Sequence, residues 1–240
     1  MASQIERVVS ELRNQILDGT LAPGVRIREL QYAPELGVSR TPLRLALVEL
    51  QQQGLLEQVG KRGFQVRKVT LDEVAEAIDL RGVLEGYAAR LLAEKGMSAM
   101  VEKALRDCIA EGREVLEAAG AHNETLDAAR WAAMNAKFHT AMLDGAHSET
   151  LRSALEHVMK SPLAATGVLG IRGVRPSLEF AFLRRAQADH EDVLDALSSR
   201  EGARAESLMR EHARRSRDNK RLLAQAVPQH LQPRDPAEAR

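Results

Sequence analysis

With 240 residues, 26.4 kDa and 34 Lys plus Arg against 34 Asp plus Glu, the chain is formally neutral and long enough for one or two domains. Its 44% hydrophobic content supports a real core, yet one Trp, two Tyr and four Phe argue against an all-β sandwich or a base-stacking RNA platform. The single cysteine, Cys108, excludes an intrachain disulfide. No apolar signal core opens the sequence, and no stretch reaches the roughly 18 apolar residues of a spanning helix. A soluble, cytoplasmic protein with no membrane partner is expected.

The neutral total hides an uneven distribution. Residues 1 to 70 hold ten basic side chains, Arg40, Arg44, Lys61 and Arg62 among them, against seven acidic ones. In chain order, Ser3 and Glu6 form a capping box for a first helix that carries Ile5, Val8, Val9, Leu12 and Ile16 at helical spacing until Gly19. After Pro23-Gly24 a short helix is predicted from about 29 to 36, stopped by Gly37. Ser39 then N-caps a helix running to 53, with Gly54 as its stop. Two helices joined by such a turn form a helix-turn-helix. On the second, Leu43, Ala46, Leu47 and Leu50 share one stripe, and Arg40, Thr41 and Arg44 share another at the N-terminal end. Free N–H groups and two guanidinium groups at a helix start suit phosphates and guanine edges; a plain solvated face is the alternative. Leu45 and Val48 fall outside the apolar stripe without explanation. Residues 55 to 59 and 64 to 66 read as a hairpin around Gly60-Lys61-Arg62-Gly63, a wing whose basic tip could reach a neighbouring phosphate or the minor groove.

The run Leu36-Gly37-Val38-Ser39-Arg40-Thr41-Pro42-Leu43-Arg44, continued by Ala46-Leu47 and Gly54-Leu55-Leu56, resembles the DNA-binding module of GntR-type bacterial transcription regulators. The resemblance implies that Ser39, Arg40, Thr41 and Arg44, with Gly60, Lys61, Arg62 and Gly63 of the wing, contact operator DNA. Tyr32, Pro34 and Leu45 depart from the family pattern, and Pro34 is expected to shorten its helix.

Thr70 and Glu73 make another capping box, which places a domain boundary at about 69. Beyond it the sequence reads as six helices, 71 to 95, 98 to 119, 124 to 144, 148 to 166, 178 to 199 and 201 to 226, separated by Gly, Ser or Pro signals. The expected fold is therefore mostly α: a winged helix-turn-helix domain over 1 to 69, an all-α six-helix bundle over 70 to 227, and a disordered tail from 228 to 240.

Polar residues interrupt the bundle's apolar stripes. His190 falls in the series Leu183, Ala186, Val193, Leu197; His212 falls with Ala205, Leu208 and Asn219; Asn135 and His139 share a face with Trp131, Phe138 and Met142. Each His alone reads most simply as a hydrogen-bonded core residue, but a divalent cation would satisfy all three together. Arg81 lies inward among Val74, Ile78, Glu85 and Leu92, so either Glu85 pairs with it or an anionic ligand does. No inward carboxylate other than Glu85 is expected, and Arg214, Arg215 and Arg217 read as a solvated face. His122, His147, His157 and His230 read as surface or cap residues.

Leu80-Arg81-Gly82-Val83-Leu84-Glu85, Asn135-x-x-Phe138-His139, Asp189-His190 and Met209-x-x-His212 are similar to the FCD effector domain of the FadR branch, in its six-helix, VanR-like form. The resemblance implies a metal held by Asn135, His139, His190 and His212, with zinc the first candidate and nickel or manganese the others. Asn135 stands where the family has Asp, so the four ligands are all neutral, and an anionic effector could supply the missing charge. These readings describe a homodimeric, metabolite-responsive regulator, expected to be a repressor, that binds a double-stranded operator and senses a small organic acid, with Arg81 as an effector contact. The alternatives are a metal-free ligand-binding regulator and a three-His metalloenzyme.

Overall fold

The computed structural model describes residues 4–17, 19–60, 63–68, 70–120, 126–159 and 176–225. Ser3, Lys61, Arg62, His122, His230 and the tail from 228 lie outside the described residues. The chain forms two compact units that divide between Thr70 and Leu71.

The first unit contains α1 (Gln4–Leu17), β1 (Arg26–Ile27), α2 (Glu29–Glu35), α3 (Arg40–Gln52), β2 (Leu56–Val59) and β3 (Gly63–Val66). The expected stripe builds its core: Leu43, Ala46, Leu47 and Leu50 of α3 are fully buried with Val8 and Leu12 of α1. Helix α2 ends one residue after Pro34. Gly37 and Gly54 both adopt positive φ, +62° and +71°, as helix stops require. Strand β1 was not expected. It pairs antiparallel with β3, Arg26 opposite Gln65 and Ile27 opposite Phe64, giving sheet order β1-β3-β2. Two residues are too few to carry a period-two pattern. The wing therefore has a third strand, and Ile27, Phe64 and Val66 bury its inner face.

The second unit contains α4 (Leu71–Lys95), α5 (Ala99–Ala119), α6 (Ala128–Gly145), α7 (Glu149–Met159), α8 (Pro176–Ser198) and α9 (Gly202–Gln225). Six helical spans match the sequence reading closely. Helix α6 begins four residues later than expected, because Asp127 caps it by accepting from the Arg130 N–H at 2.8 Å. The segment expected to carry α7 on to 166 lies outside the described residues. Leu92, Leu105, Phe138, Met142, Val193 and Met209 knit the bundle's core from five helices. Among the described residues, no helix is long and apolar enough to cross a membrane.

Helices α4 and α9 run antiparallel and lie very close. Arg221 reaches Asp72 at 3.1 Å, Arg217 reaches Asp79 at 2.7 Å, and Arg90 reaches Glu206 at 3.5 Å. Glycine permits the approach: a Cβ on Gly82 would lie 2.6 Å from the Ala213 Cβ, and one on Gly86 would lie 3.0 Å from the Glu206 carbonyl oxygen. Gly82→Ala must therefore push the two helices apart. We expect a loss of about 1–3 kcal/mol in unfolding free energy, read as a lower denaturant midpoint at unchanged slope.

Candidate functional sites

The first site is the exposed start of α3. Ser39, Arg40, Thr41 and Arg44 are all exposed there, while the opposite stripe of the helix is buried. Ser39 has the extended backbone of an N-cap but makes no side-chain capping bond, contrary to expectation. The N–H groups of the first turn are thus not covered by its hydroxyl, which suits a site for an external anion. Both guanidinium groups lean toward Glu29 of α2, Arg40 at 3.4 Å and Arg44 at 4.0 Å. Such exposed pairs are worth well under about 1 kcal/mol and yield readily to a phosphate. Gly60, at φ +66°, makes the wing turn, and Gly63 allows its backbone to close: a Cβ there would meet the Val59 carbonyl oxygen at 2.8 Å. Leu45 and Val48 are exposed within this unit.

The second site lies inside the helical unit. His139 from α6, His190 from α8 and His212 from α9 are all buried, and each offers a ring nitrogen within 4.8 Å of the others. Ring centroids are separated by 5.5 Å for His139–His190, 5.4 Å for His139–His212 and 4.7 Å for His190–His212. Phe138 stacks on His190 at 4.3 Å and fixes the ring plane. Asn135 is buried one helical turn before His139 on the same face of α6. Neither nitrogen of His139, neither nitrogen of His190 and not Nδ1 of His212 makes a hydrogen bond among the described residues. Each unsatisfied buried polar atom costs about 1–3 kcal/mol, so the cluster is the kind of place a cation would be held.

Two buried carboxylates stand behind the rings. Glu85 Oε1 lies 3.0 Å from His139 Nδ1, and Asp189 Oδ2 lies 3.5 Å from His212 Nδ1. Neither contact has hydrogen-bond geometry here, but a carboxylate this close to Nδ1 is placed to accept from it, the arrangement that leaves Nε2 to ligate a metal. Arg81 is buried and its Nε sits 3.4 Å from Glu85 Oε2, so the ion pair is present. Burial opposes ionisation of Glu85, but His139, Arg81 and His212 outweigh it and hold the carboxyl at about 2. Burial pushes His190 well below the usual histidine range, and its two neighbouring imidazoles add to this. His212 is lowered by burial too, against the opposing pull of Asp189. Rings kept neutral in this way retain the lone pairs a metal needs. On α9, burial, with the nearby Arg81 charge adding to it, brings Lys220 down to about 7.

Three features correct the sequence reading. Asp189 is a second inward carboxylate, only 3% exposed. Arg215 and Arg217 are not solvated residues: Arg215 donates to Asp189 at 2.6 Å, as Arg185 does at 3.0 Å, and Arg217, less exposed than Arg215, donates to Asp79 at 2.7 Å. Asn219, placed on the inward stripe of α9, is only partly buried, and Met209 and Ala213 occupy the buried face instead. Lys220 carried no signal in the sequence. His147 and His157 are exposed, as expected.

Residues 76–215 match the FCD domain family, and residues 4–66 match the family described as bacterial regulatory proteins, gntR family. The chain is 30% identical over 225 residues to the HTH-type transcriptional regulator YdhC of Bacillus subtilis, covering 92% of this chain and 83% of that one. It is 30% identical over 213 residues to a probable D-xylose utilization operon transcriptional repressor of Paenarthrobacter nicotinovorans, covering 85% of each. Among solved structures, E. coli McbR/YncC shares the fold with a TM-score of 0.64 at 21% identity, over 95% of this chain and 100% of that one.

The geometry around Asp189 makes a stability prediction. Asp189→Asn removes the charge that holds Arg185, Arg215 and His212 at once. Unfolding free energy should fall by about 1–3 kcal/mol in a denaturant titration. An unchanged midpoint would show that the three contacts carry no net stabilisation.

Proposed function

Because the chain belongs to the gntR family of bacterial regulatory proteins and carries an FCD domain, we propose that it is an effector-responsive repressor controlled by a small carboxylate at a metal-bearing His cluster. Its membership places it among transcription regulators, and the three-His metalloenzyme reading is set aside on that ground. The observation that carries the effector reading is the convergence of His139, His190 and His212 from three helices beside buried Arg81. Asn135, His139, His190 and His212 are the residues that would hold the ion, and a divalent ion supplies an open coordination position for an oxygen ligand. Zinc suits an imidazole-rich set best, with nickel and manganese next. Buried Arg81 favours an acidic ligand. The metal-free alternative needs protonated imidazoles, and the burial of all three rings disfavours their charged form.

On the DNA side, Arg40, Thr41 and Arg44 read one half-site, with Ser39 and the wing tip, Gly60 to Gly63, on the adjacent backbone. One such module covers only half of a palindromic operator, so a homodimer is the working assembly. An effector shifts operator occupancy only through different affinity for the two arrangements of that dimer; couplings of about 1–3 kcal/mol change binding some 5- to 150-fold.

Two measurements test this. On labelled duplexes from the chain's own promoter region, Arg44→Ala should weaken binding by about 1–3 kcal/mol without shifting the melting temperature. Retention on every fragment unchanged by Arg40→Ala and Arg44→Ala would remove α3 from the interface. Tag-free protein should contain one divalent ion per chain by elemental analysis, and His190→Ala should lose it. A thermal-shift screen of carboxylic acids should find stabilisation that chelation abolishes; stabilisation indifferent to chelation would return the site to the metal-free reading.

A further inference from the structure

Asn135, His139, His190 and His212 bring no negative charge, yet all four are buried. A dication among neutral ligands in an apolar bundle needs an anion close by. Among the described residues, two buried carboxylates reach the cluster, and they are not equivalent. Asp189 is shared between Arg215 at 2.6 Å and Arg185 at 3.0 Å, both partly exposed, so its charge is already balanced from the surface. Glu85 is enclosed: its side chain is 2% exposed, its Oε1 lies 3.0 Å from His139 Nδ1, and its Oε2 lies 3.4 Å from Arg81. It is therefore closer to its histidine than Asp189 is to His212 at 3.5 Å. Among the described residues the ring nitrogens of His139, His190 and His212 lie within 4.8 Å of one another without a carboxylate in the set, so Glu85 stands behind His139 and not beside it.

We propose that Glu85 is the anionic positioning residue of this centre. It acts through the His139 ring, replaces the charge that Asn135 does not provide, and is held in partial check by Arg81. Glu85 fixes His139 with Nε2 facing the cluster and raises the basicity of that nitrogen. Arg81 competes for the same carboxylate from four residues away on α4. The two residues thus have opposite effects on the cation: removing Glu85 weakens its binding, whereas removing Arg81 leaves the full carboxylate charge to His139 and strengthens it. An anionic ligand that engages Arg81 acts in the same sense as its removal, so metal and acid bind with positive coupling. This rests on the metal reading above.

The test uses the full-length chain and Zn2+ in competition with a chromogenic chelator, with the Co2+ absorption spectrum as a second readout. Glu85→Gln should weaken Zn2+ by about 10- to 100-fold, with the Co2+ band pattern retained because no ligand is lost. Asn135→Asp in the Glu85→Gln background should recover most of that loss. Arg81→Met should tighten Zn2+ and enlarge its thermal shift, a sign opposite to that of Glu85→Gln, which general destabilisation would not produce. Equal Zn2+ affinity in wild type and Glu85→Gln, or weakening by both single variants alike, overturns the proposal. A Co2+ spectrum that loses a ligand in Glu85→Gln overturns the indirect role. A wild-type chain that binds neither ion overturns the metal reading itself, and this proposal with it.

Discussion

The helical unit is organised around the burial of three imidazoles in an otherwise apolar interior. His139, His190 and His212 are each at most 5% exposed, and they come from three different helices. Leaving several such groups unsatisfied would cost an amount comparable with the whole stability of a domain, about 5–15 kcal/mol. The surroundings accordingly work to accommodate them. Phe138 fixes one ring by stacking, while Glu85 and Asp189 face the Nδ1 atoms of the other two. Arg81, Arg185 and Arg215 then answer the carboxylates. From the centre outward the polar groups run from neutral imidazoles to the carboxylates beside them and then to the arginines that balance the carboxylates' charge.

The two units solve opposite electrostatic problems. Inside the bundle, charge is enclosed and must be answered at short range, where the dielectric screens little. At the start of α3, Arg40 and Arg44 are 65% and 50% exposed and depend on solvent. A formally neutral chain can carry both because the charges are segregated by depth and by unit, which the total alone conceals.

Much of this was legible in the sequence, and the limits have physical causes. Apolar periodicity located the bundle helices, because each buries one continuous stripe of Leu, Val, Ala and Met. The inward placement of Arg81, Glu85, Asn135, His139, His190 and His212 followed from the same period. Asp189 escaped because the expected stripe of α8 is narrow: Leu183, Ala186, His190, Val193 and Leu197 span under a quarter of the circumference. Helix α8 packs on α4, α5 and α9, so its buried arc widens to about half a turn and takes in Gln187, Asp189 and Ala196. Arg215 then followed Asp189 inward. No one-dimensional pattern reports that Glu85 faces His139, since the two are 54 positions apart and meet only when α4 and α6 are packed. Strand β1 was missed because its pairing with β3, not its own composition, makes it a strand.

Glu29 gives the DNA-facing unit a property that composition would not suggest. Held on α2 with a side chain only 12% exposed, it lies against both arginines at the start of α3. The two contacts are long and the guanidinium groups exposed, so they order the arginine side chains in the absence of any ligand without committing them. The start of α3 is thereby arranged in advance, and little has to be given up when an external anion takes the carboxylate's place.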